Sequence, residues 1–291
     1  MQENLLKIEG RSGCRLEVIY TGGGHIVRKS AGNVAYNDRL YRQQCKQAEF
    51  IATFADQQKF SAPAVLDIRH PGNDGLTSYD MEYIRGQKYS EYFENAPIPE
   101  IWDTVSDFIA FLKSEIDNSK SEIPDASAIG NKIRDLYDEI RNKESVNDVF
   151  LKALDELKTS IPKGNLPMGF CHGDFTLSNM VFSSGRIYLV DFLDSFIESP
   201  LMDIVKLRQD TKFQWSLSIE NDLKHYQTGK VRQVLNYFDR QIIRYFGEKP
   251  YFIAWYDFLE KINLLRIIPY LHHQEELDFI RDCLQNTPTV K

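Results

Sequence analysis

The chain has 291 residues, of which 42% are hydrophobic and 26% charged, and its formal net charge is −7. This composition is typical of a folded globular protein and excludes a disordered chain; the length allows one large or two smaller folding units. The acidic balance argues against a nucleic-acid partner, because such proteins concentrate Lys and Arg. No apolar run reaches the length of a membrane span, so we expect no membrane partner.

The cysteines and the N-terminus indicate where the protein works. The four cysteines lie far apart in the sequence and include no Cys-x-x-Cys pair: Cys14, Cys45, Cys171 and Cys283. Neither a zinc site nor a disulfide framework is indicated. The first residues, "MQENLLKIEG", lack the basic and apolar regions of a secretory leader. We expect a cytoplasmic protein with reduced thiols.

The first 86 residues predict a small sheet with one helix. "NLLKIEG", "CRLEVIYT" and "HIVRKSA" are rich in β-branched and aromatic residues and are separated by glycine-bearing turns, which predicts an antiparallel meander. Residues 37–54 contain neither Gly nor Pro and carry apolar residues at helical spacing. "APAVLDIRH" and "LTSYDMEYIRG" predict two further strands. We read the three glycines 22–24 as a hairpin turn between the second and third strands; the alternative is a loop that cradles phosphates.

After Gly86 the apolar spacing becomes helical. Three amphipathic stripes predict helices within residues 101–116, 133–140 and 149–157, and Pro250 begins another helix near the C-terminus. The polar stretch 117–132 is expected to be an exposed connection. One β-hairpin interrupts this helical part, near residues 180–191. The chain is therefore expected to be of the α+β class.

"CHGDFTLSNM", residues 171–180, carries the chemistry. Asp174, Asn179 and Asp191 provide a carboxylate, an amide oxygen five residues later and a second carboxylate after the next strand. Phosphoryl transfer needs this set: a base for the acceptor hydroxyl and hard oxygen ligands for magnesium. The alternative is a turn whose Asp and Asn only satisfy local backbone groups.

"HGDFTLSN" followed by "IYLVDF" resembles the aminoglycoside phosphotransferase and choline kinase family. The resemblance implies a bilobal protein-kinase-like fold, with a small antiparallel β-rich N-lobe holding one helix and a larger, mainly helical C-lobe. Residues 1–86 would form the nucleotide-binding lobe, with a hinge at 81–86. Residues 87–291 would form the catalytic and substrate-binding lobe.

The resemblance also implies roles for the motif. Asp174 would be the catalytic base, Asn179 and Asp191 would bind Mg²⁺, and His172 would brace the loop without touching substrate. "SPLMD" makes Asp203 a support for the catalytic loop; the alternative is a charge at the N-terminus of the next helix.

In the small lobe, Lys29 on the third strand is predicted to reach the α- and β-phosphates, and Glu49 on the following helix is its expected ion-pair partner. Taken alone, each would be a solvated charge. Gly10 and Gly13, in the loop between the first two strands, would allow the backbone to approach the phosphates.

"YDMEYIRG" resembles the hinge of the family. The backbone of Glu82, Tyr83 and Ile84 would pair with the adenine edge, and Met81 would border the adenine pocket. The alternative is an edge strand with an ordinary core methionine.

The acceptor is expected to be a small molecule. The chain lacks the Gly of Asp-Phe-Gly after Asp191, and no Ala-Pro-Glu follows to dock a peptide. The resemblance implies that acidic and aromatic residues near the metal site and in the C-terminal helix line the acceptor pocket: Asp194, Glu198, Trp255, Tyr256, Asp257 and Glu260. For the helix, the alternative is a plain amphipathic core element.

The sequence therefore predicts a phosphotransferase that uses ATP (or GTP) and Mg²⁺ to phosphorylate a hydroxyl of a small molecule such as an amino alcohol, an aminoglycoside or a sugar. Two alternatives remain open. One is a pseudokinase that binds nucleotide or partners without turnover, and the other is a protein kinase.

Overall fold

The structure, a computed structural model, describes residues 6–8, 13–54, 59–69, 71, 75–143, 148–219 and 228–285. These residues form ten strands and ten α-helices. The strands are β1 (Leu6–Ile8), β2 (Cys14–Thr21), β3 (Gly24–Ala31), β4 (Phe60–Ser61), β5 (Val65–Arg69), β6 (Ser78–Glu82), β7 (Lys120–Glu122), β8 (Leu166–Met168), β9 (Met180–Ser183) and β10 (Arg186–Leu189). The helices are α1 (Asn37–Thr53), α2 (Tyr89–Asn95), α3 (Ile98–Asp117), α4 (Ala126–Arg141), α5 (Asp148–Thr159), α6 (Pro200–Thr211), α7 (Trp215–Ser218), α8 (Thr228–Phe246), α9 (Pro250–Leu265) and α10 (Gln274–Gln285).

Contacts within the chain define two compact units. Unit 1 comprises residues 1–95 and 177–194, and unit 2 comprises residues 96–176 and 195–291. The boundary therefore falls within the catalytic-loop motif, residues 171–180: residues 171–176 belong to unit 2, whereas residues 177–180 and the hairpin that follows belong to unit 1. The lobe boundary at residues 86 and 87 stays a prediction. Within the described part of the chain, no helix is both long enough and apolar enough to cross a bilayer.

The main sheet of unit 1 is antiparallel throughout, with the order β1-β2-β3-β6-β5. The predicted meander and the later strand pair are therefore confirmed. Thr21 pairs with Gly24, so the glycines 22–24 form the predicted hairpin turn, and Gly24 has a φ of 142° that favours glycine. The central strand β3 places Lys29 opposite Leu16 on one side and Tyr79 on the other.

The helix predicted at 37–54 is α1, and its buried face covers the sheet. Leu40 packs in a core cluster with Ala31, Tyr79 and Met81. The same face carries buried glutamines, and the amide of Gln47 donates to the carbonyl of Pro63 at 2.6 Å. Buried polar side chains need such partners because an unpaired one is costly.

A second sheet in unit 1 has the order β4-β10-β9 and contains the predicted hairpin β9–β10. Strand β4 pairs in parallel with β10, Phe60 lying opposite Ile187. It was not predicted, because two residues are too few to show a period. Gly86 lies so close to this sheet that a Cβ there would stand 2.5 Å from the carbonyl oxygen of Phe182.

Unit 2 is built around α6, all twelve residues of which are buried. Helices α3, α8 and α9 contact α6. Ser199 caps the N-terminus of α6 by accepting a hydrogen bond from the amide of Leu201, and Pro200 follows in the first turn. Helix α9 begins at Pro250, as predicted.

The expectation of an exposed connection over residues 117–132 is confirmed for the exposure of most of these residues, but it is wrong for their structure. Residues 120–122 form β7, which pairs with β8, and α4 already begins at Ala126. The cap explains the early start of the helix: the carboxylate of Asp125 accepts from the amide of Ser127 at 2.8 Å. The polar composition hid a short strand and a helix N-terminus.

Candidate active site

A buried lysine and a partly exposed aspartate form the centre of the unit 1 site. The Nζ atom of Lys29 lies 2.5 Å from Oδ1 of Asp191, although the two residues are 162 positions apart in sequence. The Lys29 side chain is 3% exposed and the Asp191 side chain 31%. Burial lowers the pKa of Lys29, but the Asp191 carboxylate and the neighbouring Tyr79 and Cys14 together outweigh burial, and the net pKa is raised above its ordinary value. Lys29 is therefore a fixed cation.

The hairpin β9–β10 sets the position of Asn179 and Asp191. Asn179 directly precedes β9, and its backbone carbonyl accepts a hydrogen bond of 3.0 Å from the amide of Val190. Val190 is the residue before Asp191. The two side-chain oxygens thus come from the paired ends of one hairpin. Asp191 also has a φ of 64°, and such left-handed backbone costs on the order of 1 kcal/mol or more in a residue other than glycine. Strain of this kind is concentrated at functional sites.

The donor set of unit 1 fits magnesium bound together with a nucleotide. Asp191 offers a partly exposed carboxylate and Asn179 a half-buried amide. Within the described ranges, no three His, Cys, Asp or Glu residues are grouped as metal ligands. Proteins usually hold Mg²⁺ by one or two carboxylates and leave the remaining positions to substrate phosphates and water. A closed site made only of protein groups is not needed.

The predicted partner of Lys29 needs a correction. The described ion pair of Lys29 is with Asp191, and Glu49 lies on the exposed face of α1. Gln43 and Gln47 are buried on that helix instead. A lysine on a strand followed by a glutamate on the next helix is the order expected of a kinase. The phase of α1, however, turns the Glu49 side chain to solvent.

The catalytic-loop motif is anchored to α6 in unit 2. Asp203 is fully buried, and its carboxylate accepts hydrogen bonds from the amides of His172 and Gly173, the latter at 2.9 Å. His172 is 1% exposed, and its Nδ1 accepts from the amide of Asp174 at 3.2 Å. Gly173, which lies between His172 and Asp174, has a φ of 83°, a backbone conformation that favours glycine. Through these contacts Asp203 would support the loop and His172 would brace it, which are the roles predicted for them.

The Asp174 carboxylate forms an ion pair that the sequence did not predict. Its Oδ1 lies 3.0 Å from Nζ of Lys206, and the Asp174 side chain is 23% exposed. Burial raises the pKa of Asp174, but Lys206, His172 and Arg266 outweigh burial, and the net pKa is lowered. The signal that could have identified Lys206 is its position three residues after Asp203, which is the same face of a helix.

The glycines of the predicted phosphate loop are only partly described. Gly10 lies outside the described residues. The carbonyl of Gly13 accepts from the amide of Gly32 at 2.9 Å, and a Cβ on Gly32 would stand 2.5 Å from that carbonyl oxygen. Gly13 therefore closes the β2–β3 pair, and its role in phosphate binding stays a prediction.

The predicted hinge, residues 81–86, begins with the last two residues of β6. Met81 is 7% exposed and belongs to the core cluster of unit 1, which agrees with the alternative of an ordinary core methionine. The amide of Glu82 donates to the carbonyl of Ala64 at 2.9 Å, so it is not available to an adenine. The carbonyl of Glu82 and the backbone of Tyr83 and Ile84 remain as candidates.

The two acidic residues after Asp191 have partners inside their own units. The carboxylate of Asp194 pairs with Arg42 of α1 in unit 1. In unit 2, the carboxylate of Glu198 accepts from the amide of Ser195 at 2.8 Å and from the thiol of Cys171 at 3.2 Å. Because each carboxylate already stabilises local structure, we revise the prediction that Asp194 and Glu198 bind the acceptor.

The predicted acceptor residues of α9 are mostly core residues, which corrects their assignment. Trp255, Tyr256 and Glu260 are each at most 2% exposed, and Asp257 is half-buried. The hydroxyl of Tyr256 donates to Glu260, whose two carboxylate oxygens lie 2.9 and 2.7 Å from Nζ of Lys212. A buried carboxylate requires such a partner. Tyr256 and Glu260 are therefore engaged in an internal network.

The sequence comparison decides the family. The profile of the phosphotransferase enzyme family matches residues 10–238, which is most of the chain. The chain belongs to this family. The predicted resemblance is confirmed, and with it the enzyme class, that of the small-molecule kinases. A comparison with curated protein sequences gives no match.

Solved structures show that this phosphotransferase has the kinase-like fold. A thermostable mutant of aminoglycoside phosphotransferase APH(4)-Ia, in ternary complex with ADP and hygromycin B, is 15% identical, with a TM-score of 0.61 over 99% of this chain and 95% of that chain. A putative fructosamine-3-kinase from Haemophilus somnus is 12% identical, with a TM-score of 0.61 over 97% and 90%. Amicoumacin kinase in complex with AMP-PNP is 14% identical, with a TM-score of 0.60 over 98% and 89%.

Proposed function

We propose that this phosphotransferase transfers the γ-phosphoryl group of ATP to a hydroxyl of a small molecule, with Mg²⁺ as cofactor. The observation that carries the proposal is the contact between Lys29 and Asp191. It joins a buried cation to a partly exposed carboxylate at the left-handed end of a hairpin. A structural ion pair would not require strained backbone. A phosphate-binding lysine beside a magnesium ligand accounts for both features.

Nucleotide binding would fall to the residues of unit 1. The ammonium of Lys29 donates hydrogen bonds to the phosphates, and its raised pKa keeps it charged over the physiological range. Asp191 and Asn179 would hold Mg²⁺, which neutralises charge on the phosphates when bound. The backbone of Tyr83 and Ile84 and the carbonyl of Glu82 would pair with the base. Relatives crystallised with ADP and AMP-PNP support adenine as that base.

The transfer step would fall to Asp174. Its carboxylate accepts a hydrogen bond from the acceptor hydroxyl and takes the proton as the acceptor oxygen bonds to phosphorus. The bond from phosphorus to the bridging oxygen breaks, and the nucleoside diphosphate leaves. Because the transition state is loose, most of the acceleration comes from positioning and charge stabilisation. The hydrogen bonds of Asp203 to the motif backbone hold Asp174 in place.

For the acceptor, we favour a hydroxyl-rich compound without positive charge over a cationic amino alcohol or aminoglycoside. Asp194, Glu198 and Glu260 each have a partner within the chain. In addition, Lys206 and Arg266 act electrostatically on Asp174, which adds positive charge beside the transfer step. A polycation would have to compete with these groups.

The test is magnesium-dependent formation of nucleoside diphosphate by the purified protein. The panel contains sugars and polyols, the matching amino sugars and amino alcohols, aminoglycosides and a generic protein substrate, each with ATP and with GTP. We expect acceptor-dependent turnover with ATP, highest for uncharged polyhydroxy compounds. Preference for aminoglycosides would contradict the acceptor class, phosphate on the protein substrate would indicate a protein kinase, and nucleotide binding without turnover would indicate a pseudokinase.

A further inference from the structure

The helix α6 contacts the catalytic-loop motif at two points one turn apart. Asp203 binds the backbone of His172 and Gly173, and Lys206, three residues later, binds the carboxylate of Asp174. Residues three apart on a helix lie on the same face. One rigid, fully buried helix therefore fixes both the backbone of the loop and the side chain at its end. Asp203 is accounted for by the family motif, whereas Lys206 is not.

We propose that Lys206 is a positioning residue for phosphoryl transfer, which fixes the Asp174 carboxylate in one orientation and keeps it ionised before the acceptor binds. This inference rests on the function proposed above. The Lys206 side chain is 10% exposed, so solvent screens the pair weakly. A contact at 3.0 Å between two such side chains restricts the carboxylate to few rotamers.

The charges around the pair favour this assignment. Within unit 2, Asp174 is influenced by Lys206 from α6, His172 from the motif and Arg266 at the end of α9. Lys206 is influenced in turn by Asp174, Arg266 and Asp210. Burial and the neighbouring Arg266 lower the pKa of Lys206, while Asp174 and Asp210 oppose them. The lowered pKa of Asp174 makes it a weak base.

A weak base is compatible with this reaction. In a loose transition state the acceptor hydroxyl loses its proton late, so the orientation of the carboxylate matters more than its basicity. The proton passes from the acceptor oxygen to Asp174, and Lys206 keeps its own protons throughout. Lys206 touches neither substrate in this scheme and acts only through Asp174.

The experiment compares Lys206→Met with Lys206→Arg and with Lys158→Met, which makes the same change on an exposed position of α5. The readout is the pH profile of kcat/KM, with kcat and the KM for nucleotide measured separately. We expect Lys206→Met to lower kcat by about tenfold or more with little change in the nucleotide KM, and to move the acid limb of the profile to higher pH. Lys206→Arg should keep the acid limb of the wild type, and Lys158→Met should match the wild type throughout.

A folded Lys206→Met enzyme with the acid limb of the wild type would overturn the proposal. If that variant does not fold, Lys206→Gln removes the charge and retains a hydrogen-bond donor, and the same shift is expected. Carbon-detected NMR titration of Asp174 in wild type and variant measures the coupling without turnover. A wild type without kinase activity would refute the proposed function, and an unshifted titration in the variant would refute the role of Lys206.

Discussion

Two lysine–aspartate pairs in this protein have the same chemistry but different surroundings. In unit 1, Lys29 pairs with Asp191, and in unit 2, Lys206 pairs with Asp174; in each pair the lysine is the more buried partner. The pKa of Lys29 is raised, since Asp191 and the other neighbouring groups together outweigh burial, whereas the pKa of Lys206 is lowered, since burial and Arg266 outweigh its carboxylate partners.

The difference teaches that a second cation changes the function of an ion pair. Among the described groups that shift the pKa of Lys29, none is a cation, so the lysine stays strongly charged and suits phosphates. Around Asp174 there are two cations, so the carboxylate stays ionised and suits a proton acceptor with a fixed direction. Each pair can be broken separately.

Removing the charge of Asp174 should have the largest effect. Asp174→Asn keeps the shape of the side chain but cannot accept the proton, so we expect kcat to fall by about 10²–10⁴-fold. Nucleotide binding should change less than about twofold, because Asp174 acts on the acceptor. Steady-state kinetics and nucleotide titration by calorimetry measure both. Normal turnover of the purified variant would contradict the assignment of the base.

Removing the charge of Lys29 should act on the nucleotide. We expect Lys29→Met to weaken nucleotide binding by about 10–100-fold, the effect of losing a hydrogen bond between charged groups. Asp191→Asn is the companion variant, and it should make nucleotide binding less dependent on Mg²⁺. Titrations with and without Mg²⁺ distinguish the two. Unchanged magnesium dependence in Asp191→Asn would count against Asp191 as a ligand.

The smallest effect is a dependence of stability on pH. A carboxyl group whose pKa is lowered by folding stabilises the protein above its unfolded pKa of about 3.9, and this contribution is lost as the pH falls through the lower folded value. The free energy of unfolding of wild type should therefore exceed that of Asp174→Asn at pH 6, and the gap should narrow toward pH 3. Denaturant unfolding at both pH values tests this. A constant gap would show that Asp174 is not the titrating group.

Much of the fold could be predicted because its signals are local. Helix α1 differs from its predicted range by one residue at the C-terminal end, and the β2–β3 turn and the β9–β10 hairpin lie where glycines and alternation placed them. The spacing of Asp174, Asn179 and Asp191 also led to the correct family. These patterns depend on residues a few positions apart.

The errors concern partners that are distant in sequence. Glu49 was the predicted partner of Lys29, but helical phase places Glu49 on the exposed face of α1, and hairpin geometry brings Asp191 to Lys29 instead. Glu260 looked like an acceptor ligand because a linear pattern does not reveal that Lys212 neutralises it. The left-handed backbone of Asp191 likewise has no local signal, since it follows from the end of β10.

Unit 1 consists of two chain segments that are separated in sequence, and this has a consequence for biosynthesis. Its last strands arrive after 81 residues that belong to the other unit, residues 96–176. A ribosome would release the main sheet long before β9 and β10, so Lys29 must wait for its carboxylate partner until residue 191 has been translated. Truncation after Asn95 would leave that lysine permanently without it, and no single proteolytic cut yields an intact unit 1.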